Sequence, residues 1–186
     1  MAGSGNSEGD ARTRLAEAAG RSFRVGGFGG TGVDGLAKEA GLTSGAFYAH
    51  FNSKAEAFRL AVADGLAFLR NGVLSFRARH GRNWRGPFVD FYLGARMEVA
   101  LDEACGLPSF SADVARADEA TRKLYEAELV QLVDAVAAGF RGTGARPRAL
   151  ALLAILSGAA AMARAVKDDN VRREILAAAN TAAKAV

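Results

Sequence analysis

Residues able to do chemistry are few in this chain, and the informative ones cluster. His50, His80 and Cys105 are all the imidazole and thiol it has. That leaves little general-base or nucleophile material, and no Ser/His/Asp set or zinc-spaced Cys/His group stands out. A metal at His50 would have only His80 as a histidine partner, so no metal site and no cofactor is expected. Hydrogen-bond donors do concentrate: the phenol of Tyr48, the imidazole of His50 and the ammonium of Lys54 fall in one short stretch, with the hydroxyls of Thr31, Thr43 and Ser44 upstream. Such groups bind rather than make or break bonds. The glycines at 26, 27, 29, 30 and 32 invite a phosphate-cradle reading. No Gly-Lys-Ser/Thr ending follows and no strand precedes, so a flexible turn is expected instead.

Those donors need a frame, and Thr31 to Phe58 spells one out. Thr31 followed by Asp34 fits a helix N-cap with an acidic residue in the first turn. Val33, Leu36, Ala37 and Ala40 recur at helical spacing and give one apolar face. Gly41 ends that helix, because a residue without Cβ enters the left-handed region at no steric cost. Leu42 restarts the pattern, Thr43 or Ser44 can cap, and Phe47, Tyr48 and Phe51 follow on a short second helix. Ser53 with Glu56 is a capping box opening a long third helix. Two short helices joined by a tight glycine turn form a helix-turn-helix, whose second helix enters the DNA major groove by its N-terminal residues. Ser44, Gly45 and Ala46 are the expected base-edge readers: a hydroxyl that donates or accepts, a site of close backbone approach, and a methyl for thymine. These discriminate weakly, so Thr43 and DNA shape are expected to add specificity.

The same stretch resembles the N-terminal domain of the TetR (tetracycline-repressor-like) family of bacterial transcriptional regulators. Gly41-Leu42-Thr43 at the turn, Phe47-Tyr48-Ala49-His50-Phe51 on the second helix and Ser53-Lys54 after it carry the resemblance, with Arg14 to Ala19, Phe23 and Gly27-Phe28 before them. The later run Gly158 to Asp169 is similar to the dimerisation helix of one branch. The resemblance implies that Tyr48, His50 and Lys54 hold phosphates, with Thr31 as a further donor, a role that suits their chemistry. For Tyr48 the plain alternative is a half-buried core aromatic, and for His50 a solvent-facing cap. The implied fold is all-α: an N-terminal three-helix DNA-binding domain with a helix-turn-helix, followed by a helical ligand-binding and dimerisation body. The expected division is a disordered tail over 1–9, the DNA-binding domain over 10–53 and the body over 54–186. In function, the resemblance implies a cytoplasmic, ligand-responsive regulator, a repressor that binds a palindromic operator as a dimer and is not an enzyme. The rival reading is a helical protein-interaction or carrier module that does not bind DNA.

Composition agrees with a helical globular protein: half the 186 residues are apolar, 24% are charged and only three are proline. The net charge of +4 is spread evenly along the chain, so charge alone does not point to DNA. A single cysteine suits a reducing compartment.

Beyond the head, helices are expected over about 54–80, 86–101 (opened by Pro87), 118–140, 146–167 and 169–184, with Gly106 and Pro108 breaking the chain between. A first helix is expected over about 10–25. The segment 149–163 is almost wholly apolar, but its fifteen residues fall short of the ~20 needed to cross a bilayer. No membrane span is expected. Small residues at Ala154, Ser157, Gly158, Ala161 and Ala165 suit either an internal core helix or close approach of a partner, and the resemblance favours a homodimer through the C-terminal helices. Phe68, Phe88, Phe91, Tyr92, Phe110 and Tyr125 are the expected walls of an effector pocket for an apolar or aromatic small molecule, although aromatics at helical spacing also serve as plain core. Cys105, beside Asp102 and Glu103, joins that set. Its segment is similar to one through which some members sense electrophiles or oxidants, while the nearby carboxylates would raise its thiol pKa and a buried small hydrophobe is the simpler role.

Overall fold

The computed structural model describes residues 4–186, with side chains from Asp10 onward. Nine α-helices and short 3₁₀ turns account for the architecture, with no strand among the described residues. Helix α1 (Ser4–Gly30) bends at Gly27, whose φ of 66° only glycine adopts without strain. It starts earlier than expected, since extending a helix already nucleated adds a hydrogen bond per residue fixed. Of the expected tail, residues 1–3 lie outside the described residues, and Ser4 onward is helical.

Helices α2 (Val33–Glu39) and α3 (Ser44–His50) meet at Gly41, where φ is 69° and the Leu42 N–H returns 2.8 Å to the Ala37 carbonyl. Thr43 caps α3 by accepting the Ala46 N–H at 3.2 Å. The Ser53 cap of α4 (Lys54–His80) forms with a shifted return bond: Ser53 Oγ accepts the Glu56 N–H at 3.1 Å, and Glu56 Oε2 reaches one residue past the N-cap to accept the Asn52 N–H at 2.9 Å. Leu15, Phe23, Leu36, Phe47, Phe51 and Phe58 close the head core. That core does not stop at residue 53. It takes Leu66 from α4, and Phe110 and Val114 from α6 (Gly106–Ala115).

The body joins the rest of α4 to α5 (Arg85–Leu93), α6, α7 (Glu119–Ala137), α8 (Ala145–Ala165) and α9 (Asp169–Ala185) around Trp84, Phe88, Leu132, Val136, Leu152 and Leu156. Helix α5 ends eight residues before the expected Leu101. Gly94 adopts φ −108°, ψ −103°, and a Cβ there would lie 2.6 Å from the Asp90 carbonyl oxygen, so the chain leaves the helix into turns at 95–97 and 101–103. Pro108 does not break the chain. It sits in the first turn of α6, where its missing N–H has no intrahelical acceptor to lose.

Where Gly65 of α4 faces Gly106 of α6, the two helices approach to main-chain distance. A Cβ on Gly65 would fall 3.1 Å from Gly106 Cα and 2.9 Å from the Phe110 ring, and one on Gly106 would fall 2.8 Å from Gly65 Cα. Helix α8, at 21 residues, is long and apolar enough to cross a membrane by length and composition. Leu152, Leu153, Leu156 and Ala160 nevertheless pack it into the body core, which is the ordinary setting of such a helix.

Candidate functional site

Two places concentrate groups that could bind something: the start of α3, and a cavity where the body meets α1. At the first, Phe47 and Phe51 anchor α3 inward with ring centroids 5.3 Å apart. The opposite face is open. Gly45 is exposed, Ala46 is partly so, and Tyr48 stands 61% exposed with its ring edge-on to Phe47. The half-buried-core alternative for Tyr48 is therefore not what the fold builds. His50, in the last turn of α3, has no hydrogen bond or ion pair with the described residues. Ser44 Oγ donates to Asp34, which locks α2 against α3 and engages the first-turn carboxylate of α2.

Two expected phosphate donors are committed elsewhere. Lys54 Nζ donates to the carbonyls of Phe28 (2.9 Å) and Thr31 (3.1 Å) and lies 4.3 Å from the Phe28 ring centroid. Two of its three protons thus close the α1–α2 turn onto α4. Thr31 is buried, its Oγ1 lying 2.8 Å from the Gly27 carbonyl and 3.2 Å from that of Ser22. The N-cap of α2 is Gly32, not Thr31, and it offers no side-chain cap. The helix break at Gly27 leaves carbonyls without intrahelical partners, and Thr31 and Lys54 satisfy them.

The second place is a cavity of about 260 Å³ among Tyr92, Met97, Leu101, Cys105, Pro108 and Ala160, with Arg24, Arg96 and Arg164 also on its wall. Of the expected pocket residues it takes only Tyr92 and Cys105. Phe88 is spent in the body core against Trp84 and Phe76. Phe110 belongs to the head core, edge-on to Phe58 at 5.8 Å. Phe68 (64% exposed) and Phe91 (41% exposed) point outward, the first beneath the Arg96 guanidinium at 5.6 Å, the second against Phe76. Tyr125 pairs its hydroxyl with Ser111 at 2.8 Å, away from the cavity. Arg96, in the turn after α5, lies within the stretch expected to wall the pocket, where a charged residue could orient a polar end of the effector; Arg24 and Arg164 were missed because they come from α1 and the end of α8. Only the fold brings such distant positions together.

Burial pushes the Tyr92 hydroxyl well above its usual range, and burial, rather than the Asp102 and Glu103 carboxylates, raises the Cys105 thiol. Burial likewise lowers the Arg24 guanidinium. The two histidines lie on different helices, His80 at the end of α4 stacking on Phe76, and no three His, Cys, Asp or Glu residues converge among those described.

A helix-turn-helix head carried on an all-helical body defines the architecture of a DNA-binding regulator. Residues 15–61 match the family of bacterial regulatory proteins, tetR family, so the N-terminal domain of this chain is a TetR-family domain. The whole fold is shared with solved TetR-family regulators. One from Chloroflexus aurantiacus superposes at a TM-score of 0.79 with 19% identity, over 95% of each chain. One from Cytophaga hutchinsonii gives 0.77 with 16% identity, over 97% of this chain and 96% of that one. The reduced form of NemR from E. coli gives 0.77 with 18% identity, over 91% and 95%. At these identities the likeness concerns the fold. No curated protein matches the sequence. The matched domain, that of bacterial regulatory proteins, supports DNA-binding transcriptional regulation.

Proposed function

We propose that the chain is a homodimeric transcriptional repressor, cytoplasmic and non-enzymatic, that binds a palindromic operator and releases it when a small molecule occupies the body cavity. The observation that carries the reading is the start of α3, apolar inside and open outside at Gly45, Ala46 and Tyr48. In this assignment Gly45, Ala46 and the capping Thr43 approach base edges, with Ser44 sharing its hydroxyl between Asp34 and DNA. Tyr48 and His50 hold phosphates. Lys54 and Thr31 act indirectly, by fixing the turn that sets α2 against α4.

Helix α6 supports the ligand response. Its first turn supplies Pro108 and Ser109 to the cavity wall, while Phe110 and Val114 sit in the head core and Asp113 accepts the Phe28 N–H at 2.8 Å. A ligand that favours a shifted α6 would turn the head, and differential affinity for the two arrangements is what releases DNA. The exposed face of α8, with Leu150, Ala154, Gly158 and Met162, supports a two-fold contact between copies, the commonest oligomer symmetry.

Footprinting on DNA upstream of the chain's own gene, titrated with salt, tests the proposal. A protected palindrome whose affinity falls steeply with salt is the expected result. Absence of any preference over random DNA would favour the interaction-module reading, to which the internal commitment of Lys54 lends some support.

A further inference from the structure

The cavity wall carries an imbalance of charge. Arg24 donates to the Ala104 and Gly20 carbonyls at 2.8 and 2.7 Å, Arg96 to the Glu103 carbonyl at 2.7 Å, and Arg164 to the carbonyls of Val99 and Arg96 at 3.2 Å each. Every one of these acceptors is main chain. Among the described residues no carboxylate is close enough to any of the three guanidinium groups to form an ion pair, although ten other ion pairs form in the protein. Asp64 and Asp102 act on Arg24 only from farther off. Guanidinium has five N–H donors in a planar fork, so each of these arginines keeps donors unspent.

A second observation falls at the same place. Tyr92 is 4% exposed, lines the cavity, and its hydroxyl is a buried polar atom with no hydrogen-bond partner among the described residues. The Cys105 thiol beside it is at best a weak acceptor and does not replace a full partner. Leaving a buried hydroxyl unpaired is costly, and a native fold accepts that cost where a ligand supplies the partner. The rest of the wall is apolar or small: Met97, Leu101, Pro108 and Ala160. The volume lies just below the ~300–1,000 Å³ of drug-sized sites, so the occupant is small.

We propose that this cavity binds a small organic anion, a carboxylate with a compact apolar body, its head held by Arg24, Arg96 and Arg164 with the Tyr92 hydroxyl donating to it. The apolar body lies against Met97, Leu101 and Ala160. The inference rests on the reading of the cavity as the effector site and sharpens it, giving the apolar or aromatic effector an anionic head. A guanidinium pair on a carboxylate is a charge-assisted, bidentate contact that a neutral isostere cannot reproduce.

The test uses the full chain and calorimetric titration with benzoate and the straight-chain carboxylates from butanoate to decanoate, each beside its own amide. At least one acid should bind roughly tenfold or more tightly than its amide, the difference expected of hydrogen bonds to a charged group. That preference should shrink in Arg96→Gln and in Tyr92→Phe, two variants so that a folding defect in one does not decide the matter. Amides that bind as tightly as their acids would overturn the anion while leaving the cavity as the effector site. If neither acids nor amides bind, the effector-site reading itself fails, and the inference with it.

Discussion

A methyl group added at Gly45 would meet only Thr43 Oγ1, 3.8 Å away, so nothing inside the chain requires glycine there. Alanine should therefore strengthen α3 by roughly 0.5–1 kcal/mol through its better helix propensity. If the backbone at this point approaches DNA closely, Gly45→Ala raises the urea midpoint and weakens operator binding at once. A variant equally tight on DNA would move the base-reading surface elsewhere. Lys54 behaves in the opposite sense. Its ammonium is held by two carbonyls and a ring within the head, so Lys54→Met should cost about 1–2 kcal/mol of folding stability. The salt dependence of DNA binding should barely change, whereas loss of a phosphate contact would lower its slope by about one unit. Denaturation and salt titration of the one variant separate the two roles.

Helix ends between Gly41 and Glu56 were legible from sequence because caps are local: Thr43, Ser53 with Glu56, and Gly41 each act within a few residues of themselves, whereas the N-cap of α2 is Gly32 and not the expected Thr31. The end of α5 was not. Gly94 stops it through a conformation that brings the Asp90 carbonyl against the missing Cβ, and a lone glycine in a helical pattern carries no signature of that. The cavity was less legible still. Aromatic residues at helical spacing went to the core and the surface, and the wall was left to arginines and alanines whose sequence signal is that of any exposed helix. Capping also sets the acid response. The Asn52 N–H holds the Glu56 carboxyl below its ordinary 4.5, and hydrogen bonds from Lys184 and Thr121 do the same for Asp90 and Asp118. Depressed folded-state values mean stability that is present above the unfolded pKa and lost as pH falls through the folded one. Asp64, raised by burial, opposes the trend. The urea midpoint should drop between about pH 6 and about pH 3, and drop less in Glu56→Gln; an identical fall in both proteins would remove Glu56 from the account.

On the scale of the molecule, two cores share one long helix. Leu66 of α4 belongs to the head and Val73 of the same helix to the body, with α6 lying across the junction. Assembly adds a second copy. Gly158 is exposed on α8 with nothing within 4 Å of its absent Cβ, so a glutamate there fits the isolated subunit and burdens only a contact between subunits. Gly158→Glu should convert a dimer to a folded monomer in light scattering, with the helical signal intact. A dimer that survives the substitution would place its interface off this face. The meeting of Gly65 with Gly106 sets one more property of the whole. Its gap is the contact distance of bare main chain, the one dimension no substitution can shorten, so every sequence change at the joint acts in a single direction and forces the helices apart. A lineage drifting toward new effectors would then be free to recut the chamber walls again and again, while this bearing keeps its gauge.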